Sequence, residues 1–543
     1  MTEGEFSAGR IIGPVEEGRT PVIASFRGLA EVGPLLRGRF DGAVATRLGF
    51  LTCLAIIFVV RAVVAAKLPL AFDEAYYWMW SKSLAGGYFD HPPLIALVIR
   101  LGTQVAGDTE FGIRLGGLVL AAPATWAVMR AAWLLFADVV LARWAALFLN
   151  LTLLVCGVSI TASPDTPLFV ASAFVLLCLA EIAVTDRPQW WLGVGFACGL
   201  ALLAKYSALT FGLDIVIWLA LVPRLRHWFA SPWLYLGGSV ALLLFAPVIA
   251  WNYAHDFASF WFQFGRIHVE SFDPRYFFEM LPAQVVLISP PIFVLGVAGL
   301  IWLGRRARVG NAKFGDANAL LIACLTWPLV AYLVWHSAHE RVEGNWLLPI
   351  YPPFAIAAAF AMRQPPNATR VGQFVAPARR WALPISAAMF LIAAAQSLSG
   401  FIRISPDPLG SKIGFGWPKL AMQVRDVVAR TGASGILTSD YHTTAWLSFY
   451  LPDVEVAQVN ERIRWVNMPP PSDRLMRGPV LFFASDKITL GELDELYAHR
   501  REAGFFLRER DGVIHGGYAG FVLDSLKGDA RAFLSSHLLP LPD

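Results

Sequence analysis

The sequence predicts a polytopic α-helical membrane protein with a soluble α/β domain at its carboxyl terminus. Of its 543 residues, 56% are hydrophobic and only 15% are charged, whereas soluble domains carry roughly 25% charged residues. Apolar segments of about twenty residues, the length that crosses a hydrocarbon core of roughly 30 Å, recur along most of the chain. A secreted enzyme, a cytosolic enzyme and a nucleic-acid-binding protein are therefore excluded as descriptions of the whole chain.

About eleven apolar segments are long enough to be membrane spans. They lie near 48–66, 115–136, 141–161, 166–184, 190–204, 207–223, 233–252, 283–303, 319–336, 347–362 and 381–401. Residues 1–47 contain several arginines but no long apolar segment, so we expect a cytoplasmic tail rather than a cleaved signal peptide. Lysines and arginines then gather on alternate loops, which the positive-inside rule assigns to the cytoplasm. An odd number of spans places the carboxyl terminus outside.

Two predicted outer loops, 67–114 and 253–282, are too long to be simple connectors, and long loops usually carry function. Residues 402–543 have the composition of a soluble, extracytoplasmic α/β domain. We predict for it a helix near 418–430, strands at Gly435–Thr438, Val454–Val459 and Val480–Ala484, and a charged helix near 490–502. The domain has no GxGxxG or P-loop motif, so no nucleotide site is predicted.

Two adjacent acids, Asp73 and Glu74, follow the first predicted span directly. Neighbouring carboxylates at a low-dielectric boundary repel each other, which raises the pKa of one of them and suits it to act as a general base near neutral pH. The alternative is that both acids cap a helix lying at the membrane interface. Composition alone favours the cap.

Other polar residues on the predicted outer face are candidates for ligand binding. Asp165 lies in a Ser-Pro-Asp turn and could also be a helix N-cap. Lys205, which precedes Tyr206, either extends to the membrane surface or offers a charge to a lipid phosphate. The aromatic-rich second loop is typical of an interfacial amphipathic helix. From that loop, Arg266 and His268 could face a lipid headgroup.

One short outer loop contains His336, His339 and Glu340, which could ligate a divalent metal if the segment is helical. The segment has no HExxH motif and no pattern that supplies a fourth ligand, so a solvated loop is favoured. No cofactor or metal ligand is assigned from the sequence. Binding of a divalent metal is left as an alternative.

Five motifs in this order resemble the bacterial branch of the protein O-mannosyltransferase and aminoarabinose transferase superfamily, whose shared architecture is called GT-C. The motifs are Asp73-Glu74-Ala75-Tyr76-Tyr77, Tyr88-Phe89-Asp90-His91-Pro92-Pro93, Ser163-Pro164-Asp165-Thr166-Pro167, Lys205-Tyr206 and Leu348-Pro349-Ile350-Tyr351-Pro352. The resemblance implies a glycosyltransferase domain over residues 48–401 of a multi-pass protein of the bacterial inner membrane. Such enzymes transfer a sugar from a polyprenyl-phosphate donor to an extracytoplasmic acceptor, usually with inversion. Lipid A, lipopolysaccharide, another surface glycolipid or a protein would be the acceptor.

The resemblance also implies roles for the candidate residues. Asp73 matches the family's proposed catalytic base. Lys205, Arg266 and His91 would hold the donor phosphate, and Glu74 and Asp165 would orient hydroxyl groups. The remaining substrate-binding candidates are Asp90, Tyr206, His268 and Tyr351.

This chain departs from aminoarabinose transferases at one of these positions, because His91 stands where they carry lysine. A permanent cation is thereby replaced by a side chain that titrates near neutrality. A transporter or flippase for a lipid-linked sugar is the alternative function. Transporters place their ionisable residues near the bilayer midplane, whereas the acids here gather on outer loops, which favours the enzyme.

Overall fold

The computed structural model describes residues 44–266, 271–309, 315–364, 370–402, 412–485 and 488–538, together with Gly42. The membrane domain is built from helices. They are α1 (Arg47–Lys67), α2 (Phe72–Lys82), α3 (Leu94–Ala106), α4 (Glu110–Phe136), α5 (Val139–Leu151), α6 (Leu153–Ile160), α7 (Asp165–Thr185), α8 (Trp190–Ala204), α9 (Thr210–Leu221), α10 (Pro232–Ala254), α11 (Ala258–Gly265), α12 (Arg275–Ile288), α13 (Pro290–Val309), α14 (Gly315–Cys324), α15 (Trp327–His336), α16 (Tyr351–Arg363), α17 (Arg370–Phe374) and α18 (Ala376–Ser399).

Helices coincide with all eleven predicted spans. Seven helical stretches within the described residues are long and apolar enough to cross a membrane unaided: Arg47–Lys67, Glu110–Phe136, Asp165–Thr185, Pro232–Ala254, Ala317–His336, Gly344–Arg363 and Val371–Ser399. Two pairs of consecutive helices are long and apolar enough only when each pair is taken together, and each pair is bent at a short break. The bend is 66° between α5 and α6, and 103° between α12 and Pro290–Ala307. Helix α8 and the stretch Tyr206–Leu221 are shorter. The polytopic helical class is confirmed, and the count of eleven stays a prediction that depends on the two short helices.

The bend between α5 and α6 explains a charged residue in the first span. Arg61 is fully buried, and its guanidinium donates to the side-chain and main-chain oxygens of Asn150, both at 2.8 Å. The break at Thr152 leaves carbonyl groups at the end of α5 without helical partners. Arg61 supplies the missing donors, so its charge is held inside protein rather than exposed to lipid.

The carboxyl-terminal domain is a mixed five-stranded sheet with helices. The strands are β1 (Ile436–Thr438), β2 (Val456–Gln458), β3 (Val480–Ala484), β4 (Tyr497–Arg510) and β5 (Val513–Leu526), and their order is β2-β1-β3-β5-β4. The helices are α19 (Trp417–Thr431), α20 (Tyr441–Tyr450), α21 (Asp473–Arg477), α22 (Ile488–Leu496) and α23 (Ala530–Ser536). Strand β1 runs parallel to β2 and β3, whereas β5 is antiparallel to β3 and β4. An α/β domain is therefore confirmed at this end of the chain.

The predicted helix near 490–502 is partly wrong, because α22 ends at Leu496 and the charged residues after it belong to β4. Strand β4 pairs along its length with β5. Asp511 and Gly512 join the two strands, both with positive φ (49° and 81°), as the favoured two-residue hairpin turn requires. Arg500, Arg501 and Glu502 lie on this edge strand with their side chains exposed to solvent. The Asp-Gly pair was the sequence signal for this hairpin.

The soluble domain is joined to the first outer loop by backbone pairing and by a shared apolar core. Phe72 donates its N–H to Lys412, and Gly414 donates to Leu70, at 3.2 and 2.9 Å. The indole of Trp446 on α20 also donates to Leu70, at 3.0 Å. These bonds lie just before and at the start of α2, so the soluble domain holds the first turn of the helix that carries the acidic pair.

Candidate active site

The two adjacent acids have different surroundings. Glu74 is 1% exposed and Arg114 on α4 is 0% exposed. The guanidinium of Arg114 donates to both carboxylate oxygens, at 2.8 and 2.6 Å, and the N–H groups of Ala71 and Ala162 donate to the same oxygens at 2.8 and 2.9 Å. Arg114 also donates to three carbonyl groups at the end of α1, those of Ala65, Leu68 and Pro69. Glu74 therefore joins α1, α2, α4 and the turn before α7.

Asp73 points away from this ion pair. Within the described part of the chain, no hydrogen bond or ion pair engages its carboxylate. The pKa of Asp73 is raised from 3.8 to about 7, chiefly by burial and then by the charges of Asp90 and Asp165, with the charges of Lys412 and Arg464 acting in the opposite direction. A carboxylate with a pKa near the working pH can both accept and release a proton, which is the requirement for a general base.

Asp90 connects the first outer loop to the soluble domain. The phenol of Tyr76 donates to one of its carboxylate oxygens at 2.7 Å, and Arg464 donates to the other. Gln263 on α11 donates to the Asp90 carbonyl group. The Asp90 side chain is 14% exposed, so its negative charge is largely compensated within the protein.

Asp165 and Lys205 form an ion pair between the first residue of α7 and the residue that follows α8. The Lys205 Nζ lies 3.0 Å from Asp165 Oδ1, and Asn345 donates to the other oxygen at 2.6 Å. Both side chains are mostly buried. The turn before α7 and the end of α8 thus bring together two residues that the sequence assigned separately.

His91 lies close to two cations. Its Nδ1 is buried and has no hydrogen-bond partner among the described residues. Burial lowers the pKa of His91 well below its ordinary value, and the charges of Lys205 and Arg266 lower it further. His91 is therefore neutral at neutral pH, and an anion bound beside it would favour its protonation.

Three other sequence candidates have structural contacts. Arg266 lies 4.5 Å over the ring of Phe262 and is exposed. The phenol of Tyr206 lies 2.8 Å from Ser259 Oγ, and that of Tyr351 donates to Gln284 at 3.0 Å. Both tyrosines are buried, so they fasten α11 and α12 to their neighbours. Their roles in substrate binding stay predictions, and His268 lies outside the described residues.

Several site residues were not found from the sequence. Arg464, Lys412, Asn345 and Gln263 each touch or act on one of the predicted acids. Arg464 lies 374 residues from Asp90 in the sequence, in a segment without a recognisable motif. The sequence does not show that a single buried arginine in the soluble domain contacts an acid of the membrane domain. That contact is visible only when the two domains are packed together.

The described residues contain no group of three or more side chains able to hold a metal ion. His336 Nε2 lies 3.8 Å from Glu340 Oε2. The ring of His339 is instead hydrogen-bonded to the Trp335 carbonyl at 3.0 Å. His336 and Glu340 lie near each other, but within the described part of the chain these three residues do not form a group of three metal ligands.

Comparison with known proteins relates the fold of this chain to a known architecture. The sequence profile described as dolichyl-phosphate-mannose-protein mannosyltransferase matches residues 90–251. The structure also superposes on the crystal structure of ArnT from Cupriavidus metallidurans bound to undecaprenyl phosphate, with a TM-score of 0.59 and 17% identity. That superposition covers 89% of this chain and 100% of the ArnT chain. The chain has the GT-C fold of ArnT.

Two curated relatives align with about half of the chain. Lipid A galacturonosyltransferase RgtD of Rhizobium johnstonii is 27% identical over 304 residues, which are 53% of this chain and 60% of RgtD. The undecaprenyl phosphate-alpha-4-amino-4-deoxy-L-arabinose arabinosyl transferase of Erwinia tasmaniensis is 24% identical over 294 residues, 52% of this chain and 51% of that protein. The chain thus spans about half to three fifths of the length of these relatives.

Proposed function

We propose that the chain is a glycosyltransferase of the bacterial inner membrane. It transfers a sugar from a polyprenyl-phosphate donor to a hydroxyl or phosphate group of an extracytoplasmic acceptor such as lipid A. The observation that carries the proposal is Asp73, an acid without a hydrogen-bond or ion-pair partner among the described residues. Asp73 interacts with Asp165, which pairs with Lys205, and Lys205 and Arg266 in turn act on His91. Both the relatives and the ArnT structure involve lipid A or undecaprenyl phosphate by name.

The cationic residues of the site suit the donor phosphate. Lys205 and Arg266 both act on His91, so an anion bound at His91 would meet two permanent charges and one group that can become charged. Negative charge develops on the phosphate as the sugar leaves, and preorganised cations stabilise that charge in a site from which water is largely excluded.

Asp73 supplies the base. The acceptor O–H gives its proton to the Asp73 carboxylate while the acceptor oxygen bonds to the anomeric carbon of the sugar. The bond between that carbon and the donor phosphate oxygen breaks, and its electron pair leaves with the polyprenyl phosphate. Attack from the face opposite the leaving group inverts the anomeric centre.

A donor panel tests this function. The purified protein in proteoliposomes is incubated with lipid A and polyprenyl phosphates that carry galacturonic acid, aminoarabinose or neutral hexoses, and the lipids are analysed by mass spectrometry. We expect lipid A to gain the mass of one sugar residue with at least one donor. Movement of a donor across the bilayer without any product from a range of acceptors would instead support the flippase.

Arg266 offers a direct test of the phosphate contact. We expect Arg266→Gln to raise the donor KM about tenfold or more, because a charged hydrogen bond to phosphate is worth about 1.5–3 kcal/mol. Thermal stability should be unchanged, since the side chain is exposed. The matched control is Arg275→Gln, a nearby exposed arginine paired with Asp273, which should leave KM as it is. Equal KM values for the two variants would exclude Arg266 from the donor site.

The orientation proposed here has a cytoplasmic amino terminus and a periplasmic soluble domain. In a background without the five native cysteines, single cysteines at Ser163, at the exposed Arg341 near Ser337, and at Asp511 should react with an impermeant thiol reagent added outside spheroplasts. Cysteines at Gly310 and Gly372 should react only after the membrane is opened. Cytoplasmic labelling at position 511 would mean an even number of spans and would place the acid cluster on the other face.

A further inference from the structure

The soluble domain inserts one arginine among the acids of the outer loops. Arg464 lies in the single-turn helix Arg462–Trp465 and is 8% exposed. Its guanidinium pairs with Asp90, and its Nε donates to Glu461 at 2.7 Å. The rings of Tyr441, Phe89 and Phe262 surround it, with centroids 4.6, 5.3 and 5.8 Å from Cζ. Two carboxylates and three rings leave this planar group little freedom to move.

Asp90 connects this arginine to the helix that carries Asp73. Tyr76 lies three residues after Asp73 on α2 and donates to the Asp90 oxygen that Arg464 does not use. Charged and titratable groups face Asp73 from the outer loops, the end of the membrane domain and the soluble domain: Asp90, Asp165, Tyr77, Lys412, Arg464 and Tyr441. Two of these are cations.

The two cations differ in their surroundings. The Lys412 side chain is 65% exposed and lies 3.7 Å from Glu343, so solvent screens its charge. Arg464 is buried, where a charge is screened far less. Lys412 acts on Asp73 directly, whereas Arg464 contacts Asp90 and compensates the negative charge that Asp90 presents to Asp73.

We propose that Arg464 is a positioning residue of the transfer reaction, supplied by the soluble domain to balance Asp90 and to hold Asp90 against α2 beside Asp73. This inference rests on the proposed function. It makes the soluble domain part of the catalytic centre and gives that domain a role beyond covering the membrane domain.

Charge balance has a consequence that a purely structural contact lacks. Without Arg464, Asp90 is an uncompensated anion beside Asp73, and a neighbouring like charge disfavours the ionised form of an acid. Asp73 would then keep its proton to higher pH and act as a base only in more alkaline solution. Lysine at position 464 would keep the positive charge but lose the planar guanidinium group, whose N–H donors can contact two acceptors at once.

The test is the pH dependence of kcat/KM for the full-length protein in proteoliposomes, with the donor identified by the panel above. We expect Arg464→Gln to move the acidic limb of the profile upward by about one pH unit. Asp90→Asn, which removes the like charge, should move that limb downward. Arg464→Lys should lower the rate while its profile stays close to that of the wild type.

Arg508→Gln is the matched control. Arg508 is also a buried arginine of the soluble domain, and it donates to the carbonyl groups of Ile413 and His515 at 3.1 and 2.8 Å. It fastens the domain without contacting the acids, so its loss should lower the rate equally at all pH values.

A uniform loss for Arg464→Gln, like that of Arg508→Gln, would overturn the proposal. If Arg464→Gln does not fold, the pH profile of Asp90→Asn tests the proposal instead. An acidic limb that does not move in that variant would also overturn the proposal. Full activity of Asp73→Asn is a separate result, because it would contradict the proposed base whatever Arg464 does.

Discussion

Replacing Asp73 by asparagine is expected to lower the rate of sugar transfer by about 10²–10⁴-fold, the usual effect of losing a general base. The amide has the shape of the carboxylate but cannot accept the acceptor proton. Expression and membrane insertion should be unchanged, since within the described residues the Asp73 carboxylate has no hydrogen bond or ion pair to lose. Transfer is measured as product formed per enzyme with the donor found in the panel.

The stability of this variant provides a second readout. The pKa of Asp73 is about 7 in the folded protein, raised from an ordinary value of 3.8 chiefly by burial. The folded state therefore binds the proton more tightly, and its stability falls as pH rises between these two values. Asparagine carries no charge, so above neutral pH Asp73→Asn should unfold at a higher temperature than the wild type.

The control for Asp73→Asn is Asp108→Asn. Asp108 lies on the same outer loop, where it pairs with Lys82 and is half exposed. Its replacement should leave transfer nearly unchanged. If Asp73→Asn keeps more than about a tenth of the wild-type rate, Asp73 is not the base, and Asp165 or Asp90 becomes the candidate.

Replacing Arg114 by methionine is expected to destabilise the protein by about 3–5 kcal/mol, the usual effect of removing one partner of a buried ion pair. Glu74 would stay buried with two backbone N–H donors and no counter-charge. Three carbonyl groups at the end of α1 would lose their donor as well. Thermal unfolding in detergent, followed by circular dichroism, measures the change.

Two further variants separate charge from shape. The double variant Glu74→Gln with Arg114→Met should regain part of the lost stability, because no uncompensated charge remains. Arg363→Met is the control, since Arg363 pairs with Asp138 at 2.9 Å but both side chains are accessible to solvent, at 46% and 29% exposure. It should cost no more than about 1 kcal/mol. Equal losses for Arg114→Met and Arg363→Met would contradict the role assigned to the buried pair.

The candidate site was predictable to the extent that its residues lie in short motifs. Asp73, Asp165 and Lys205 follow or end apolar segments, so their sequence positions alone place them at helix ends. The ion pair between Asp165 and Lys205 was not predictable. Glu74 was assigned to hydroxyl groups of the substrate, yet its oxygens are occupied by Arg114 and two N–H groups. We now propose a positioning role for it.

The sequence by itself determined the membrane domain, because the apolar length that crosses a bilayer is a local property of the chain. The turn at Asp511 and Gly512 is also a local property of the sequence, although the residues before it favour a helix and led to the prediction of one. Only the tertiary structure decided that residues 497–502 belong to a strand, since the partner strand β5 provides the hydrogen bonds.

The charge states of the site also depended on the tertiary structure. His91 looks like a cation near neutral pH in the sequence, but burial beside Lys205 and Arg266 lowers its pKa. Asp90 and Arg464 meet across 374 residues. Electrostatic interactions act through space and strengthen as water is excluded, so they are determined by which segments fold together and cannot be derived from the order of residues along the chain.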